Sequence, residues 1–199
     1  MHSLLRCPPI VPAVLLLFAT CGPLAFTALG ADASALVDDF AQADKTARGA
    51  GRLLFDDAGA GSKSRATQRV ANGVLVVEGE LAPGRGAPAF ISIPLLLGAE
   101  AKPENVGAYT GVRLRVKINQ GTLTAQVASA DVDNFDYHSA PVVAKRGEFV
   151  EVRVAFADMK RAWSAQTPLN TKLVTSVNLV AFAMAPGKFA YEVDEIAFY

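Results

Sequence analysis

The chain has 199 residues, with 19 Lys or Arg against 19 Asp or Glu, so its formal net charge is zero. A neutral chain gives no reason to expect nucleic acid or an anionic membrane as a partner. The two cysteines are Cys7 and Cys21 and the two histidines are His2 and His138; beyond Cys21 there is no thiol, no disulfide and one histidine, which argues against a Cys/His zinc site.

Residues 1–33 read as a secretory signal. Arg6 supplies a charged start, an apolar stretch runs from Ile10 to Leu29, and the small residues of "ALGADASA" offer a cleavage zone. The stretch is also long enough for an uncleaved anchor, but Pro12, Gly22 and Pro23 interrupt it, and "FATC" makes a poor lipidation site of Cys21. The expectation is an exported protein, periplasmic or extracellular, with no membrane span once the signal is removed. Residues 35–199 then form a single domain, long enough to hold itself together by burial alone and expected to be monomeric.

This domain reads almost wholly as strands. Candidates in chain order are Arg52–Phe55, Gly73–Gly79, Ala89–Leu95, "GVRLRVKI", Leu123–Ala128, Ser139–Val143, "FVEVRVAF", Val177–Met184 and the final run from Phe189. In "GVRLRVKI", Val112, Leu114, Val116 and Ile118 alternate with Arg113, Arg115 and Lys117. Period 2 puts the apolar set on one face of a half-buried antiparallel sheet and the cations on the other. Turn signals such as "ANG", "INQG" and "APG" separate the strands. Short helical pieces are expected within Ala41–Ala50 and Ala157–Gln166. The fold class is all-β: a two-sheet antiparallel sandwich of the jelly-roll kind with one or two short helical turns.

The last strand carries a phase slip. Phe189, Tyr191 and Val193 share one parity, and Ile196 and Phe198 share the other. A slip inside a strand turns every later side chain over unless one residue is extra. A β-bulge at Asp194–Glu195 supplies that residue.

The richest polar segment is "ASADVDNFDYHSAP". Its Asp131, Asp133 and Asp136 miss EF-hand spacing, since no Gly follows and Val142 stands at the twelfth place. Phe135, Tyr137 and His138 in the same loop supply aromatic faces and a polar group, as a glycan site requires; plugging the end of the sandwich is the competing role. Trp163, the single tryptophan, is read as a lid on the core edge or as a stacking platform. Arg113 and Arg115 either line a site for an acidic ligand or form a solvent-facing surface neutralised by acids on neighbouring strands. A Ser-His-acid triad would have to use His138, and Ser139 beside it points to the opposite strand face. A non-catalytic domain is expected.

Four stretches, in order, carry a resemblance: "VDDF", "YTGVRLRVK", "EFVEVRVAFADM" and "PLNTKLVTSVNLVAFAMAPGKFAYEVDEIAFY". Together they resemble the complex I intermediate-associated protein 30 family over about Val37 to Tyr199. The resemblance implies a galactose-binding-like jelly roll with adjacent terminal strands, acting as a binding or assembly-type module. It also implies kinship with carbohydrate-binding module family 11, which shares the terminal acid pairs and takes glucans in a concave cleft. The partner would be a polysaccharide or an envelope protein. The family's Gly-rich segment is represented by "FDDAGAGSKS" without its hydrophobic pair, and a family Trp position is Phe149.

Adjacent terminal strands bring the acid pairs Asp38–Asp39 and Asp194–Glu195 together. Like charges that close require a cation between them. The expectation is therefore a structural calcium or an Arg/Lys bridge, with Asp39 and Asp194 as the inward pair.

Overall fold

The computed structural model describes residues 35–84 and 88–199; the expected signal, residues 1–33, lies outside them. Eleven strands follow one another: β1 Leu36–Asp38, β2 Phe55–Asp56, β3 Arg65–Ala71, β4 Val74–Leu81, β5 Ala89–Leu96, β6 Gly111–Gln120, β7 Thr124–Ser129, β8 His138–Pro141, β9 Val150–Ala155, β10 Val174–Ala183 and β11 Gly187–Phe198. They form two antiparallel sheets. One runs β3-β4-β11-β6-β9 with β1 also paired to β11; the other runs β2-β5-β10-β7-β8. The core lies between them.

Alternation decides which face of each strand is inside. Val112, Leu114 and Val116 of β6 are buried, while the Arg113, Arg115 and Lys117 side chains stand outside. On β10, Val177, Leu179 and Ala181 face inward, opposite Leu95, Ile93 and Ile91 of β5. Close approach fixes Gly111 in "YTGVRL": a Cβ there would lie 2.5 Å from the Val154 carbonyl oxygen and 2.6 Å from the Tyr199 ring. Beyond the β2 pairing, Pro94 stands on the outer edge of β5, buried and without an N–H to offer a further strand.

The phase slip of β11 is a bulge. Val193 pairs with Val116 and Glu195 with Arg115, leaving Asp194 as the extra residue. Phe189, Tyr191 and Val193 before it and Ile196 and Phe198 after it are therefore all buried. The bulge also marks a change of neighbour: β4 pairs with Gly187–Val193, whereas β1 pairs with Ile196 and Ala197. The terminal strands are adjacent, but β11 is a central strand rather than an edge.

Among the described residues helical structure is limited to short 3-10 turns at Ala58–Ala60, Ala99–Ala101 and Phe156–Asp158. The piece expected within 157–166 is this last turn, displaced to its start. The piece expected within 41–50 is not helical. It is a loop closed by a bridge between Lys45 and Gly51, and the Ala47 amide is held by the Asp38 carboxylate.

Deleting Asp194 should remove the bulge and leave Ile196 and Phe198 on the inner parity of a regular strand, so the loss should stay well below the roughly 3–6 kcal/mol of turning both outward, at about 1.5–3 kcal/mol per buried side chain. Asp194→Ala keeps the extra residue and loses one exposed ion pair to Arg115, costing less than about 1 kcal/mol. Urea titration measures both losses; about 3–6 kcal/mol on deletion would show that Asp194 is not the extra residue.

Candidate functional site

The two outer faces differ in chemistry. On the sheet containing β6 and β11, cations meet anions across neighbouring strands. Arg113 pairs with Glu195 at 2.6 Å and lies 3.8 Å from Glu151, Arg115 pairs with Asp194, and Lys117 with Glu192 at 2.8 Å. Phe149 lies beneath Arg115 and Lys117, at 5.6 and 5.7 Å from its ring centre, so the aromatic at this position supports two cations. Hydrogen bonds from Lys117 and Asn119 hold the Glu192 carboxyl below its ordinary value. This surface is internally neutralised.

On the other sheet β5, β10, β7 and β8 carry no Asp, Glu, Lys or Arg, and β2 carries one, the exposed Asp56 opposite Ile91. Pro94, Asn178, Gln126 and Ser139 form one row across four strands, in which Pro94 and Asn178 are buried and Gln126 and Ser139 half-buried. Within it the Ser176 hydroxyl donates to Asn178 Oδ1 at 2.7 Å, and Asn178 Nδ2 donates to Gln126 Oε1 at 2.9 Å. Toward one end the row gives way to aromatics. Phe90 stands opposite Phe182, and Phe55 opposite Ser92. Phe55 and Phe182 are 55% and 44% exposed, and Met184 follows them at the surface. The Gly-rich segment builds this end: the buried Asp57 carboxylate accepts the Ser64 hydroxyl at 2.6 Å and the Phe90 amide at 3.0 Å, clasping the segment to β5.

These residues escape a search for charged or histidine-centred chemistry. Their one sequence signal is Ser176 and Asn178 at period 2 inside the apolar run "VTSVNLVAFA".

At the far edge, beyond β8, a backbone bridge joins Ser139 to Lys160, with bonds of 3.0 and 2.9 Å. The following loop is folded around Asp136. Its buried carboxylate accepts the amides of Ala162, Trp163 and Ser164 at 2.7, 3.0 and 2.6 Å, and Arg161 donates to the Asp136 carbonyl at 3.1 Å. Burial pushes the Asp136 carboxyl up, but the Ser164 hydroxyl and the three amides outweigh it and hold the group below its ordinary value. Asn134 donates to the Ser164 hydroxyl at 2.9 Å. Phe135, between Asn134 and Asp136, has φ of 62° and is 74% exposed. Phe40 also has positive φ, at 53°, but is fully buried under the Arg52 guanidinium. Its strain is offset by packing, whereas that of Phe135 is not.

The expected site residues therefore separate into groups. Phe135, Tyr137 and Trp163 gather on the two loops that Asp136 joins, with Phe135 edge-on to Tyr137 at 6.3 Å. Burial pushes the Tyr137 hydroxyl pKa up. Trp163 is not a lid on the core, being 71% exposed. His138 opposes Val127 on the inner face of β8, buried, with Nε2 2.6 Å from the Thr167 carbonyl oxygen; period 2 sends Ser139 outward instead. Arg113 and Arg115 belong to the opposite sheet.

Asp39 and Asp194 are not brought together as an inward pair. Asp39 is exposed and accepts the Ala41 amide, while Asp194 takes Arg115. The inward acid is Asp38, because Val37 is the extra residue of a second bulge, where Leu36 pairs with Ala197 and Asp38 with Ile196. Arg52 reaches both Asp38 oxygens, at 3.1 and 2.8 Å. The two acid pairs are served separately: Arg52 takes Asp38, while Arg115 and Arg113 take Asp194 and Glu195. Among the described residues no group of three or more His, Cys, Asp or Glu side chains could hold a metal ion, and no helix is long and apolar enough to cross a membrane.

The family model of Complex I intermediate-associated protein 30 (CIA30) matches residues 39–193. The chain belongs to the CIA30 family. No curated protein sequence matches the chain. Among solved structures, this CIA30 domain is similar to a family 11 carbohydrate-binding module from Clostridium thermocellum in complex with a β-1,3-1,4-mixed-linked tetrasaccharide. The TM-score is 0.56 at 13% identity, over 84% of this chain and 96% of that one. It is also similar to the family 11 module of the cellulosomal cellulase Lic26A-Cel5E of Clostridium thermocellum, with a TM-score of 0.55 at 12% identity over 84% and 95% of the two chains. A third likeness is to part of the agarase AgWH50C, with a TM-score of 0.52 at 7% identity, covering 83% of this chain and 24% of that one. These likenesses show a shared jelly-roll fold.

The depressed Asp136 pKa sets the sign of an acid transition. The carboxylate contributes stability above its unfolded value, and this is lost as pH falls through the lower folded value. The near-UV circular dichroism of Trp163 should hold steady down to about pH 3.9, the ordinary aspartate value, and change only below it. Asp136→Asn should remove this transition. A midpoint at or above the ordinary value would contradict the assignment.

Proposed function

We propose that the chain is an exported, non-catalytic binding module whose ligand is a neutral polysaccharide, taken on the outer face of β2-β5-β10-β7-β8. The observation that carries this reading is the absence of Asp, Glu, Lys and Arg from β5, β10, β7 and β8, combined with the half-buried Gln126 and Ser139 and the exposed Phe55 and Phe182. A charged ligand held there would lose hydration without gaining a counter-charge. A sugar chain presents hydroxyls that donate and accept, which suits Ser139 and Gln126, and apolar C–H faces that suit aromatic rings. The opposite sheet's charges already neutralise one another. The histidine of the domain is buried against the Thr167 carbonyl rather than set beside a nucleophile, which supports binding over catalysis. The signal-like leader supports export.

An assembly-type role would use the same face differently, seating a protein on Phe55, Phe182 and Met184. Calorimetric titration with soluble β-1,3-1,4-mixed-linkage glucan distinguishes the two. Binding is expected, with Phe182→Ala weakening it by up to about tenfold, the equivalent of one aromatic contact. Gln126→Ala should weaken it as well, and Arg113→Ala should leave it unchanged. No binding to this or other neutral glycans, together with retention of a single envelope protein that Phe182→Ala releases, would replace the polysaccharide reading with the assembly one.

A further inference from the structure

We propose that Trp163 and Phe135 form a second sugar-stacking platform, continuous with the uncharged sheet face, so that one linear polysaccharide chain runs from β5 and β10 across β8 and onto the 160–164 segment. This rests on the reading of the sheet face as a glycan site.

Three observations carry it. The first is exposure without slack. Trp163 and Phe135 are 71% and 74% exposed, more than Phe55 or Phe182. Large aromatics of this kind normally bury themselves. Here the backbone that carries them is tightly held: Asp136 takes the amides of three successive residues including Trp163, and the residue before Phe135 is bonded to the residue after Trp163. Arg161 adds a bond from its guanidinium to Asn134 Oδ1 at 3.1 Å. Fixed aromatic surfaces lose little freedom on binding, which favours a ligand with flat apolar faces.

The second is continuity. The bridge between Ser139 and Lys160 makes the segment at Lys160 a further rail beside β8, in register with the row Pro94, Asn178, Gln126 and Ser139. Trp163 follows this rail by three residues. The Lys160 ammonium is turned to the Ala157 carbonyl at 3.2 Å.

The third is span. Four strand spacings separate β5 from the Lys160 rail, or about 19 Å at about 4.8 Å each. A ligand touching both the phenylalanine end and Trp163 must therefore be an extended chain rather than one sugar. The module would grip the interior of a polymer, and Asp136 is a positioning residue for one end of that grip.

The chain contains one tryptophan, so its intrinsic fluorescence reports on this platform. The full chain is titrated with soluble β-1,3-1,4-mixed-linkage glucan and, separately, with cellobiose, by calorimetry and tryptophan emission in parallel. With the polymer, emission should shift in step with the heat. Trp163→Ala and Phe135→Ala should each weaken polymer binding by up to about tenfold, and Trp163→Tyr should restore most of the loss. Far-UV circular dichroism verifies that each variant is folded. In Phe182→Ala, the emission change should move to higher polymer concentration together with the heat, since one chain occupies both surfaces. Polymer heat with unchanged tryptophan emission would overturn the platform and leave the sheet-face reading standing. An emission change indifferent to Phe182→Ala would overturn the continuity. Absence of both heat and emission change would remove the glucan reading of the sheet face and the platform with it.

Discussion

The constraint on which this sandwich depends is the phase of β11. That strand runs through the middle of one sheet and must keep an apolar face inward against β4, then β1, and against β6 throughout. Asp194, the extra residue, makes this consistent across a sequence whose apolar parity changes once. The same device puts Glu192, Asp194 and Glu195 outside, where Lys117, Arg115 and Arg113 stand. The acid pair near the chain end is thus consumed by cross-strand pairing. Such exposed pairs contribute little each to stability; their larger consequence is that this face meets solvent with its cations and anions already matched.

A similar economy operates at the other end of the domain. Val37 is an extra residue in β1, and it turns Asp38 inward toward Arg52. The buried pair fastens the loop to Arg52, since Asp38 also accepts the Phe40 and Ala47 amides. Asp57 does the same for the Gly-rich segment, tying it to β5 at Phe90, and Asp136 for the Trp163 loop. In each case an inward carboxylate replaces the regular hydrogen bonding that an irregular segment lacks. The acids are framework, and what they frame is the uncharged sheet face and its margins.

Legibility in the sequence followed charge alternation. β6 and β9 announce both faces because cations or acids interleave with apolar residues, and the bulge of β11 is visible because two parities break at one place. β3 was not visible: "RATQRVA" has only Ala66 and Val70 as apolar markers on its inner parity, and its strand character comes from pairing with β4. The alanines of 41–50 read as helix-forming, but the segment is bent by its bonds to Asp38 and by the bridge at Lys45, which no local propensity encodes. The choice of Asp38 over Asp39 as the inward acid depends on a bulge too near the strand's start to leave a period. The uncharged face was the least legible part. β5 and β10 lack charge on both sides and read as buried strands, so apart from Ser176 and Asn178 at period 2 the outer residues, Phe90 and Phe182 among them, gave no contrast. The aromatic loop was legible as residue types; its exposure was not, because that follows from the Asp136 clasp.

Membership of the CIA30 family and the jelly-roll likeness together define a scaffold whose two outer faces differ, one of them carrying its charges in cross-strand pairs. The measurement that tests this most directly is a backbone amide chemical-shift map of the full chain during titration with soluble β-1,3-1,4-mixed-linkage glucan. The account predicts shifts concentrated on β5, β10, β7 and β8, including Asn178, Gln126 and Phe182, with β3, β4, β6 and β9 unmoved. Shifts centred on the Arg113 to Lys117 strand, or none on the uncharged sheet, would contradict it.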